Sequence, residues 1–519
     1  MNKETIVGID LGTTFSAIAY VNQHGKPEII PNREGDRTTP SVIFFEEEGN
    51  PIVGKEARNQ AIIEPRCTVR FVKREMGNPS FRFNVGGKDY FPEDLSAMIL
   101  KKLKNDAEVF LGKEIHKAVI SVPAYFKDAQ REATRQAGEI AGLEVIRIVN
   151  EPTAAALAYG LDKVEEDQTI LVYDFGGGTF DVTVMKVSEQ EFTILATDGD
   201  SQLGGKDIDG LLVEYFAEEF LREHEIDLRI EPHTHQDLWD KAEIAKKDIS
   251  FRNNLAVTLS AGGKTLRIDI DREMFNELIE DIVKQTEECM NRVIQELDLD
   301  WANIDTVLLA GGTSRIPAVR EMIGRRTGRD IALDMNPDEC VALGAAIQAV
   351  VTTIEAEGVG SAPPLESGSD IVVHDVASHS LGVKALSPDH EKYVNSIIIP
   401  RFTPIPCERT RTYATNEDNQ DRVEIEVLQG EDEDPRSPKV NLIGKAGLKN
   451  LPPHKAGELV IEITLSYNVD GVVEVVAREL ESGQMTREVL MQKFGELSPE
   501  ILQDKQNLTR LWHFRATLM

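Results

Sequence analysis

The chain has 519 residues, 41% hydrophobic and 28% charged, a composition typical of a folded globular protein with about three or four domains. Its 57 basic and 89 acidic residues give a net charge of −32, which disfavours binding to nucleic acid or to an anionic membrane. We expect no signal peptide and no transmembrane helix, and the four cysteines lack CxxC spacing, so a reduced, cytoplasmic location is predicted.

Residues 1 to about 355 alternate β-branched runs with helical stretches, which predicts an α/β fold. Two segments here share one pattern: strand, Asp, glycine-rich turn with threonine, strand. They are Ile6–Asn22 (IVGIDLGTTFSAIAYVN) and Ile170–Val187 (ILVYDFGGGTFDVTVMKV). Such turns direct backbone N–H groups and threonine hydroxyls at one spot. The repeat therefore predicts two lobes that face each other across one bound anion.

Asp10 and Asp174 end the first strand of each repeat, where a carboxylate is unfavourable unless it meets a cation. Mg²⁺ suits such a place, because it is usually held by one or two carboxylates together with phosphate oxygens and water. The segment Ser260–Arg267 ends in Gly-Lys-Thr but lacks the first glycine of a P-loop, and we interpret it as a hairpin turn. We interpret His233 and His235 as part of a polar loop rather than a metal site.

The composition changes after the α/β part. Thr352–Asp370 is rich in Gly, Ser, Pro and Glu and is typical of a linker, and the short apolar segment Asp370–Val376 follows. From there to about Met491 apolar and polar residues alternate, which predicts an antiparallel β-sandwich. The last stretch predicts one amphipathic helix. We predict domains at 1–360 and 377–495, a linker at 361–376 and a helical tail at 496–519.

Seven segments together carry a resemblance to a known family. They are IDLGTTFS, VPAYF, NEPTAAALAYGLD, YDFGGGTFDV, LGGKDID, LAGGTSRIP and NPDECVALGAA. They resemble the motifs of DnaK-type chaperones, the seventy-kilodalton heat-shock family, in order along nearly the whole chain. The resemblance implies an actin-like two-lobed ATPase domain of α/β class, followed by an all-β sandwich domain and a short C-terminal helix. It also implies a chaperone that binds unfolded polypeptide and controls that binding by slow ATP hydrolysis.

By position, the resemblance implies a site for ATP or ADP with Mg²⁺. Asp10 and Asp174 would hold hydrated Mg²⁺, Glu151 and Asp181 would surround the attacking water, and Lys73 would reach the γ-phosphate. The phosphates would be surrounded by Gly12, Thr13, Thr14, Gly176, Gly177, Gly178, Thr179, Gly204 and Gly205. Adenosine contacts would come from Glu243, Lys246, Lys247, Ser250, Gly311, Gly312, Arg315 and Asp338. Lys247 stands where many members have an arginine that stacks on adenine.

In the β part, the resemblance implies a groove for extended apolar peptide. Its residues would be Val383, Leu386, Tyr413, Asn416, Val423 and Ile425. Leu386 and Asn416 would arch over the peptide, and Asn416 replaces a small apolar residue. Pro123, Arg131 and Glu151 match the relay between domains, while Arg147, Asn150 and Asp375 match contacts with a J-domain co-chaperone. His374 occupies the last apolar place of the linker, which could weaken docking or make it pH-sensitive.

Two departures from the family pattern lead to further expectations. The loop Gly77–Glu93 and the hairpin Ala261–Lys264 are shorter than in DnaK, which resembles the short-loop HscC-like branch. We therefore expect fast ADP release without a nucleotide exchange factor. Only one helix's worth of residues stands where the family carries a helical lid, so we expect a truncated lid, either because the natural protein lacks it or because the chain is shortened, and rapid peptide release in both nucleotide states.

Two other classes of protein share the phosphate-binding repeat. A small-molecule kinase of the same superfamily is disfavoured, because the sequence offers no evident base for a sugar hydroxyl and the sandwich would have no task. An actin-like filament protein also leaves the sandwich and the linker unexplained, and the net charge opposes self-association. Unfolded peptide should stimulate ATP hydrolysis only in the chaperone.

Overall fold

The computed structural model describes residues 5–46, 49–160, 167–188, 191–329, 331, 335–358, 361–363, 365, 371–387, 392–468, 471–490 and 499–510. These residues form two α/β lobes, a region made of β-strands and a final helix, so the predicted fold class is confirmed. The predicted linker residues 366–370 and the tail residues 511–519 lie outside the described residues.

The first lobe is built on a central sheet with smaller sheets and helices around it. Its strands are β1 (Ile6–Asp10), β2 (Phe15–Val21), β3 (Pro27–Ile29), β4 (Thr39–Pro40), β5 (Val42–Phe45), β6 (Pro51–Val53), β7 (Thr68–Arg70), β8 (Phe83–Val85), β9 (Lys88–Tyr90), β10 (Lys117–Val122) and β11 (Glu144–Asn150). Its helices are α1 (Lys55–Gln60), α2 (Pro92–Leu111), α3 (Asp128–Ile140) and α4 (Glu151–Gly160).

The second lobe follows with the same kind of sheet and longer helices. Its strands are β12 (Gln168–Phe175), β13 (Phe180–Ser188), β14 (Glu191–Asp200), β15 (Asn254–Ala261), β16 (Lys264–Asp271) and β17 (Thr306–Ala310). Its helices are α5 (Gly205–His224), α6 (Pro232–Phe251), α7 (Arg272–Leu278), α8 (Glu280–Glu296) and α9 (Pro317–Thr327). Helix α10 (Cys340–Glu357) follows them in the chain and packs on β1, β2 and α4 of the first lobe.

The two repeats occupy equivalent places in the two central sheets. In the first sheet, β1 pairs antiparallel with β2 and parallel with β10. In the second, β12 pairs antiparallel with β13 and parallel with β17. Asp10 lies opposite Ser121 and Asp174 lies opposite Ala310, so both carboxylates stand at the carboxyl end of a buried parallel strand. The turns after them therefore emerge at the edge where α/β sheets commonly bind ligands.

Helices α4 and α10 lie in the core that joins the two lobes, because one cluster of buried side chains includes residues from these helices and from both central sheets. Helix α10 is long and apolar enough to match a membrane span by composition, and 67% of it is buried inside the protein. Its apolar surface is therefore largely covered by the protein's own core.

The C-terminal region contains two four-stranded antiparallel sheets, β20-β19-β23-β24 and β22-β25-β26-β27. Alternate residues of β25 are buried between them, as expected for a sandwich. The elements are β18 (Val372–Val376), β19 (Leu381–Leu386), β20 (Tyr393–Ile399), β21 (Pro404–Ile405), β22 (Cys407–Ala414), β23 (Arg422–Gln429), β24 (Asn441–Lys449), β25 (Val460–Tyr467), β26 (Val473–Glu479), β27 (Met485–Leu490) and α11 (Pro499–Arg510).

Two local expectations were wrong. Thr352–Glu357 belongs to the end of α10 rather than to a linker, because the apolar face of that helix still packs on the core there. His233 and His235 lie in the first turn of α6, which begins at Pro232, so they are helical rather than part of a loop. The hairpin predicted for Ser260–Arg267 is confirmed as β15 and β16, joined at Gly262 and Gly263.

Candidate functional site

The two glycine-rich turns lie directly against each other between the lobes. A Cβ atom added to Gly177 would lie 1.9 Å from Thr14 Oγ1, and one added to Gly178 would lie 2.5 Å from Thr13 Cγ2. Only glycine fits there. The structure therefore brings the two repeats together with their threonines and backbone N–H groups at one place.

The N-terminus of α5 lies against the second of these turns. The backbone N–H of Gly205 donates to Gly176 O at 3.0 Å, and that of Lys206 donates to Gly177 O at 2.8 Å. Gly204 is the N-cap residue of α5. A helix N-terminus carries partial positive charge, so it favours an anion in front of the turns.

A cavity of about 430 Å³ opens between the lobes at this point. Its walls include the predicted residues Asp10, Gly12, Thr13, Thr14, Lys73, Glu151, Asp174, Gly176, Gly177, Thr179, Glu243, Lys246, Lys247, Ser250, Gly311, Gly312, Arg315 and Asp338. Of the predicted set, Gly178, Gly204, Gly205 and Asp181 are not part of the wall. The volume is in the range of small-molecule ligand sites.

The inner end of the cavity concentrates buried carboxylates. Burial and the charge of Glu151 raise the pKa of Asp10 to about 7 and that of Asp181 to about 8, and the same two causes raise the pKa of Asp174 well above its usual value. Lys73 Nζ lies 2.5 Å from Glu151 Oε1. One ammonium group does not neutralise four carboxylates, so the donor set fits a bound cation.

Lys73 stays charged in this setting. Burial alone would lower its pKa, but the attraction of Glu151 and Asp10 outweighs burial and raises it. Asp181 is oriented by the backbone N–H of Tyr125, which donates to Asp181 Oδ1 at 2.9 Å. The inner end thus presents a fixed positive charge and oriented carboxylates to whatever occupies the cavity.

The outer end of the cavity is formed largely by one face of α6. Glu243, Lys246, Lys247 and Ser250 share this face because their spacing follows the helical repeat. Lys247 and Arg58 lower the pKa of Glu243 to about 2, although its burial acts in the opposite direction. On the other side, Arg315 pairs with Asp338 at 2.8 Å.

Several residues of the cavity wall were missed in the sequence. They are Phe15, Thr38, Asp209, Phe251, Thr313, Ile316, Pro337 and Val341. Thr313 directly follows the predicted Gly311–Gly312 pair, and its hydroxyl donates to Gly176 O at 2.8 Å, so its neighbours in sequence could have indicated it. Phe251 directly follows the predicted Ser250, and Asp209 ends the motif LGGKDID, so both could have been indicated in the same way. Thr38 carries no such signal, because no predicted residue lies near it in the sequence and only the fold brings it to the wall.

Ion pairs from the first lobe to α6 also escaped the sequence analysis. Arg58 Nη2 lies 2.8 Å from Glu243 Oε2, and Arg70 Nη1 lies 2.9 Å from Asp240 Oδ1. Both arginines belong to the first lobe and both carboxylates to the second. They hold the outer end of the cleft closed.

The six predicted groove residues are only partly brought together. Val383 and Ile425 are buried in the core of the sandwich, and Tyr413 and Val423 pack against the same core. The hydroxyl of Tyr413 lies 2.9 Å from Ser396 Oγ, which ties the two sheets together. Leu386 and Asn416 lie outside this cluster, and Asn416 is exposed.

Three of the predicted interdomain residues, Arg131, Asn150 and Asp375, form a continuous chain of hydrogen bonds. Arg131 Nη2 donates to Asn150 Oδ1 at 2.6 Å, and Asn150 Nδ2 donates to Asp375 Oδ2 at 2.7 Å. Pro123 is buried, and its carbonyl accepts from the backbone N–H of Phe126. Arg147 is not part of the chain of hydrogen bonds, because its guanidinium faces Glu355 at 3.5 Å.

The segment after the ATPase lobes is bound to the second lobe as a strand. Val372, Val373 and His374 of β18 pair in parallel with Glu191, Phe192 and Thr193 of β14. The other side of β18 pairs with β21 at the entrance to the sandwich. The sheet of the second lobe therefore continues without a break into the C-terminal region.

Two lobes that each contribute a glycine-rich turn to one cleft, with a β-sandwich attached through a strand paired to one lobe, define an actin-like ATPase coupled to a second domain. The Hsp70 protein family profile matches residues 6–83 and 77–507. Chaperone protein DnaK of Thermotoga petrophila is 44% identical over 489 residues, which cover 93% of this chain and 79% of that protein. The same protein of Thermotoga neapolitana is 44% identical over 489 residues, and that of Thermosipho africanus is 42% identical over 488. The chain belongs to the Hsp70 family of ATP-dependent chaperones.

Proposed function

We propose that this chaperone controls its hold on extended apolar polypeptide by hydrolysing ATP in the cleft, and that strand β18 carries the signal. The chain is an ATPase by its family, and nucleotide is its ligand. The observation that carries the coupling is the pairing of β18 with β14, because β14 follows β13, the strand that leaves the second phosphate-binding turn.

We assign the phosphates to the two turns and the N-terminus of α5, and adenosine to α6 and the Gly311–Gly312 turn. Asp10 and Asp174 would hold Mg²⁺, which usually takes one or two protein carboxylates. Among the described residues no group of three His, Cys, Asp or Glu side chains could hold a metal by itself, so water and phosphate oxygens would supply the other ligands. When bound, this ion would neutralise the charge that develops on the transferred phosphoryl group.

The hydrolytic step needs positioning more than a strong base. Lys73 would place its ammonium against the γ-phosphate, and Glu151 would hold that ammonium in place through their 2.5 Å contact. Asp181 would orient the attacking water, since its own orientation is set by the backbone of Tyr125. Thr179 would direct its hydroxyl at the same phosphate. Hydrolysis without an activated protein nucleophile should be slow, so its rate would set how long the ATP-bound state lasts.

We place the apolar peptide on the sandwich, where Val383, Tyr413, Val423 and Ile425 would contact it. Backbone hydrogen bonds to an extended peptide give generality, and a pocket selects apolar side chains. Leu386 and Asn416 would close over the peptide from outside the core. Among the residues predicted for a J-domain partner, Asn150 and Asp375 share one hydrogen bond. Burial raises the pKa of Asp375, and the nearby charge of Arg147 acts in the opposite direction. We place this chemistry in the cytoplasm.

We propose that ADP leaves without an exchange factor, because the hairpins β8–β9 and β15–β16 are short and leave the outer cleft accessible. The ion pairs of Arg58 and Arg70 with α6 act in the opposite direction, because they hold the outer cleft closed. The measured rate of ADP release shows which of the two effects is larger. We expect stopped-flow release of a fluorescent ADP analogue to be fast and unaffected by an added exchange factor. Slow release that such a factor accelerates contradicts this proposal.

The coupling is tested by measuring binding of labelled peptides with and without ATP. Val423→Phe should block the groove while leaving basal ATP hydrolysis unchanged, since Val423 lies far from the cleft in the fold. Thr179→Ala should keep peptide binding but remove its dependence on ATP. Peptide affinity that ignores ATP in the unaltered protein would contradict the proposed function. Peptide stimulation of hydrolysis also separates it from a small-molecule kinase or a filament protein.

A further inference from the structure

Phe71 stands in an unusual backbone conformation next to the catalytic lysine. Its φ is 61° and its ψ is 25°, a left-handed conformation that bulky residues rarely adopt. The single 3₁₀ turn Val72–Glu75, which carries Lys73, begins directly after it. Such a conformation persists only where surrounding contacts stabilise it, and it is found most often at functional sites.

Those contacts come mainly from the second lobe. The ring centroid of Phe71 lies 4.8 Å from Lys206 Nζ and 6.2 Å from the ring of Trp239. Lys206 lies on α5 and Trp239 on α6, while Phe71 lies in the first lobe. Arg70, whose guanidinium is 4.9 Å from the same ring centroid, also pairs with Asp240 on α6. The ring of Phe71 is therefore held between cations and an aromatic side chain across the cleft.

The other end of the 3₁₀ turn is tied to the second lobe as well. Arg74 Nε donates to Gly178 O at 2.8 Å, and its guanidinium forms a two-point contact with Asp207. Lys73 lies between Phe71 and Arg74. Its turn is thus bracketed by two residues that reach across to the lobe that carries the second phosphate-binding turn.

We infer that Phe71 is a positioning residue for Lys73, which makes the placement of the catalytic ammonium depend on closure of the cleft. This inference rests on the role proposed for Lys73. With the lobes closed, Lys206 and Trp239 hold the ring and keep the backbone of Phe71 left-handed. When the lobes separate, those contacts are lost and the backbone relaxes, so Lys73 leaves the γ-phosphate position. Hydrolysis is then confined to the closed cleft.

The test uses single-turnover hydrolysis of bound ATP, equilibrium affinity for ADP, and the melting temperature, each on the full chain. Phe71→Ala and Trp239→Ala should slow the single-turnover rate about tenfold or more, the size expected for a misplaced catalytic group. Affinity for ADP should change much less. Phe71→Tyr keeps the ring and should keep the rate. Phe110→Ala, which removes an exposed phenylalanine on α2, is the control and should change nothing.

A second comparison separates a positioning role from a structural one. If Phe71 acts through Lys73, Phe71→Ala should slow hydrolysis no further in a Lys73→Ala background. Equal slowing in both backgrounds, or weaker ADP binding with an unchanged rate, overturns the inference. A slow Lys73→Ala with a normal Phe71→Ala also overturns it but leaves the proposed function intact. A normal rate for Lys73→Ala contradicts the proposed function itself.

Discussion

One buried histidine at the interface between the first lobe and the sandwich links protonation to the docking of the two domains. His379 lies at the start of the sandwich, 5% exposed, and its Nε2 lies 3.1 Å from the carbonyl oxygen of Tyr125 in the first lobe. Its ring also contacts the ring of Tyr125 edge-on, with centroids 4.4 Å apart. Burial lowers the pKa of His379 to about 4, because an imidazolium would lose its hydration there.

This burial predicts that docking of the sandwich weakens in mild acid. Free of the interface, His379 would titrate near 6.5, whereas docked it titrates near 4. The undocked state therefore binds more protons between these values, and docking is stable above pH 6.5 and is lost as pH falls toward 4. Between pH 7.5 and pH 5.5 the contribution of His379 to the docking equilibrium should weaken about tenfold. Energy transfer between dyes on the two domains measures it with ATP present.

Comparison with His379→Leu isolates this effect, because other groups nearby also titrate. Burial raises the pKa of Asp128 in the same interface to about 7, so its protonation acts with the opposite sign and favours the buried state in acid. Lys127, Arg131 and Asp198 add fixed charges around the ring. All of them remain in the variant. The ratio of the docking constant of His379→Leu to that of the unaltered protein should therefore rise about tenfold from pH 7.5 to pH 5.5, and a ratio that does not change with pH would rule out the histidine.

At this scale the sequence indicated residues that sit inside motifs and missed those that the fold brings together. Asp10, Thr13 and Gly177 could be found because two turns of one chain repeat the same order of residue types. Arg58 and Glu243 are 185 residues apart, and no local pattern joins them. Phe71 looked like an ordinary apolar residue, since a left-handed backbone has no signature in a phenylalanine.

At the scale of elements, the linker docks by strand addition. Strand β14 ends the sheet of the second lobe, and β18 pairs with it through backbone hydrogen bonds. Backbone pairing depends little on side-chain identity. This explains how a linker with a histidine in its last apolar place still binds as a strand. His374 faces outward, half exposed, with Nε2 3.1 Å from Glu191 Oε1, and such exposed pairs contribute little.

The side chain that anchors this strand should be Val373. It packs against the core shared by the two lobes, whereas Val372 next to it is 45% exposed. Val373→Asp would bury a carboxylate there, so we expect it to remove most of the ATP-induced acceleration of peptide release. Val372→Asp adds the same charge to the same strand on the outer side and should keep the acceleration. Release of a fluorescent peptide after mixing with ATP measures both, and equal losses would contradict the assignment.

The sequence predicted the kind of element well wherever periodicity was long, as in α3 and in β25. It failed at the end of α10, because Thr352–Glu357 has the polar composition of a linker while Thr353 is buried and Ile354 still packs on the core. The sequence showed that Asp370–Val376 is a short apolar segment, but it did not show that this segment pairs with strand β14. Strand pairing across the chain depends on register with β14, which composition does not encode.

At the scale of the whole molecule, contacts from three places hold the C-terminal region on the ATPase lobes. Ser378 Oγ donates to Ala124 O at 2.7 Å beside His379. Helix α11 lies on the first lobe, where Lys505 Nζ is 2.6 Å from Asp94 Oδ1 and Leu502 packs on the core. Arg401 of the sandwich forms an ion pair with Glu296 on α8 of the second lobe. The first lobe is therefore contacted by the start of the sandwich and by α11, and the second lobe by the loop that carries Arg401.

The Arg401–Glu296 pair offers a reversible test of this docked arrangement. Arg401→Glu would replace attraction by repulsion at a site where both side chains are largely covered, so we expect docking with ATP to weaken by about 1 kcal/mol, or roughly fivefold. Glu296→Arg alone should weaken it similarly. The double swap restores opposite charges and should recover most of the energy transfer between domain-attached dyes. Because Glu296 and Arg401 lie outside the cleft, ATP hydrolysis without peptide provides the check on folding. A double swap that stays undocked, with normal hydrolysis, would show that this pair does not join the domains in solution.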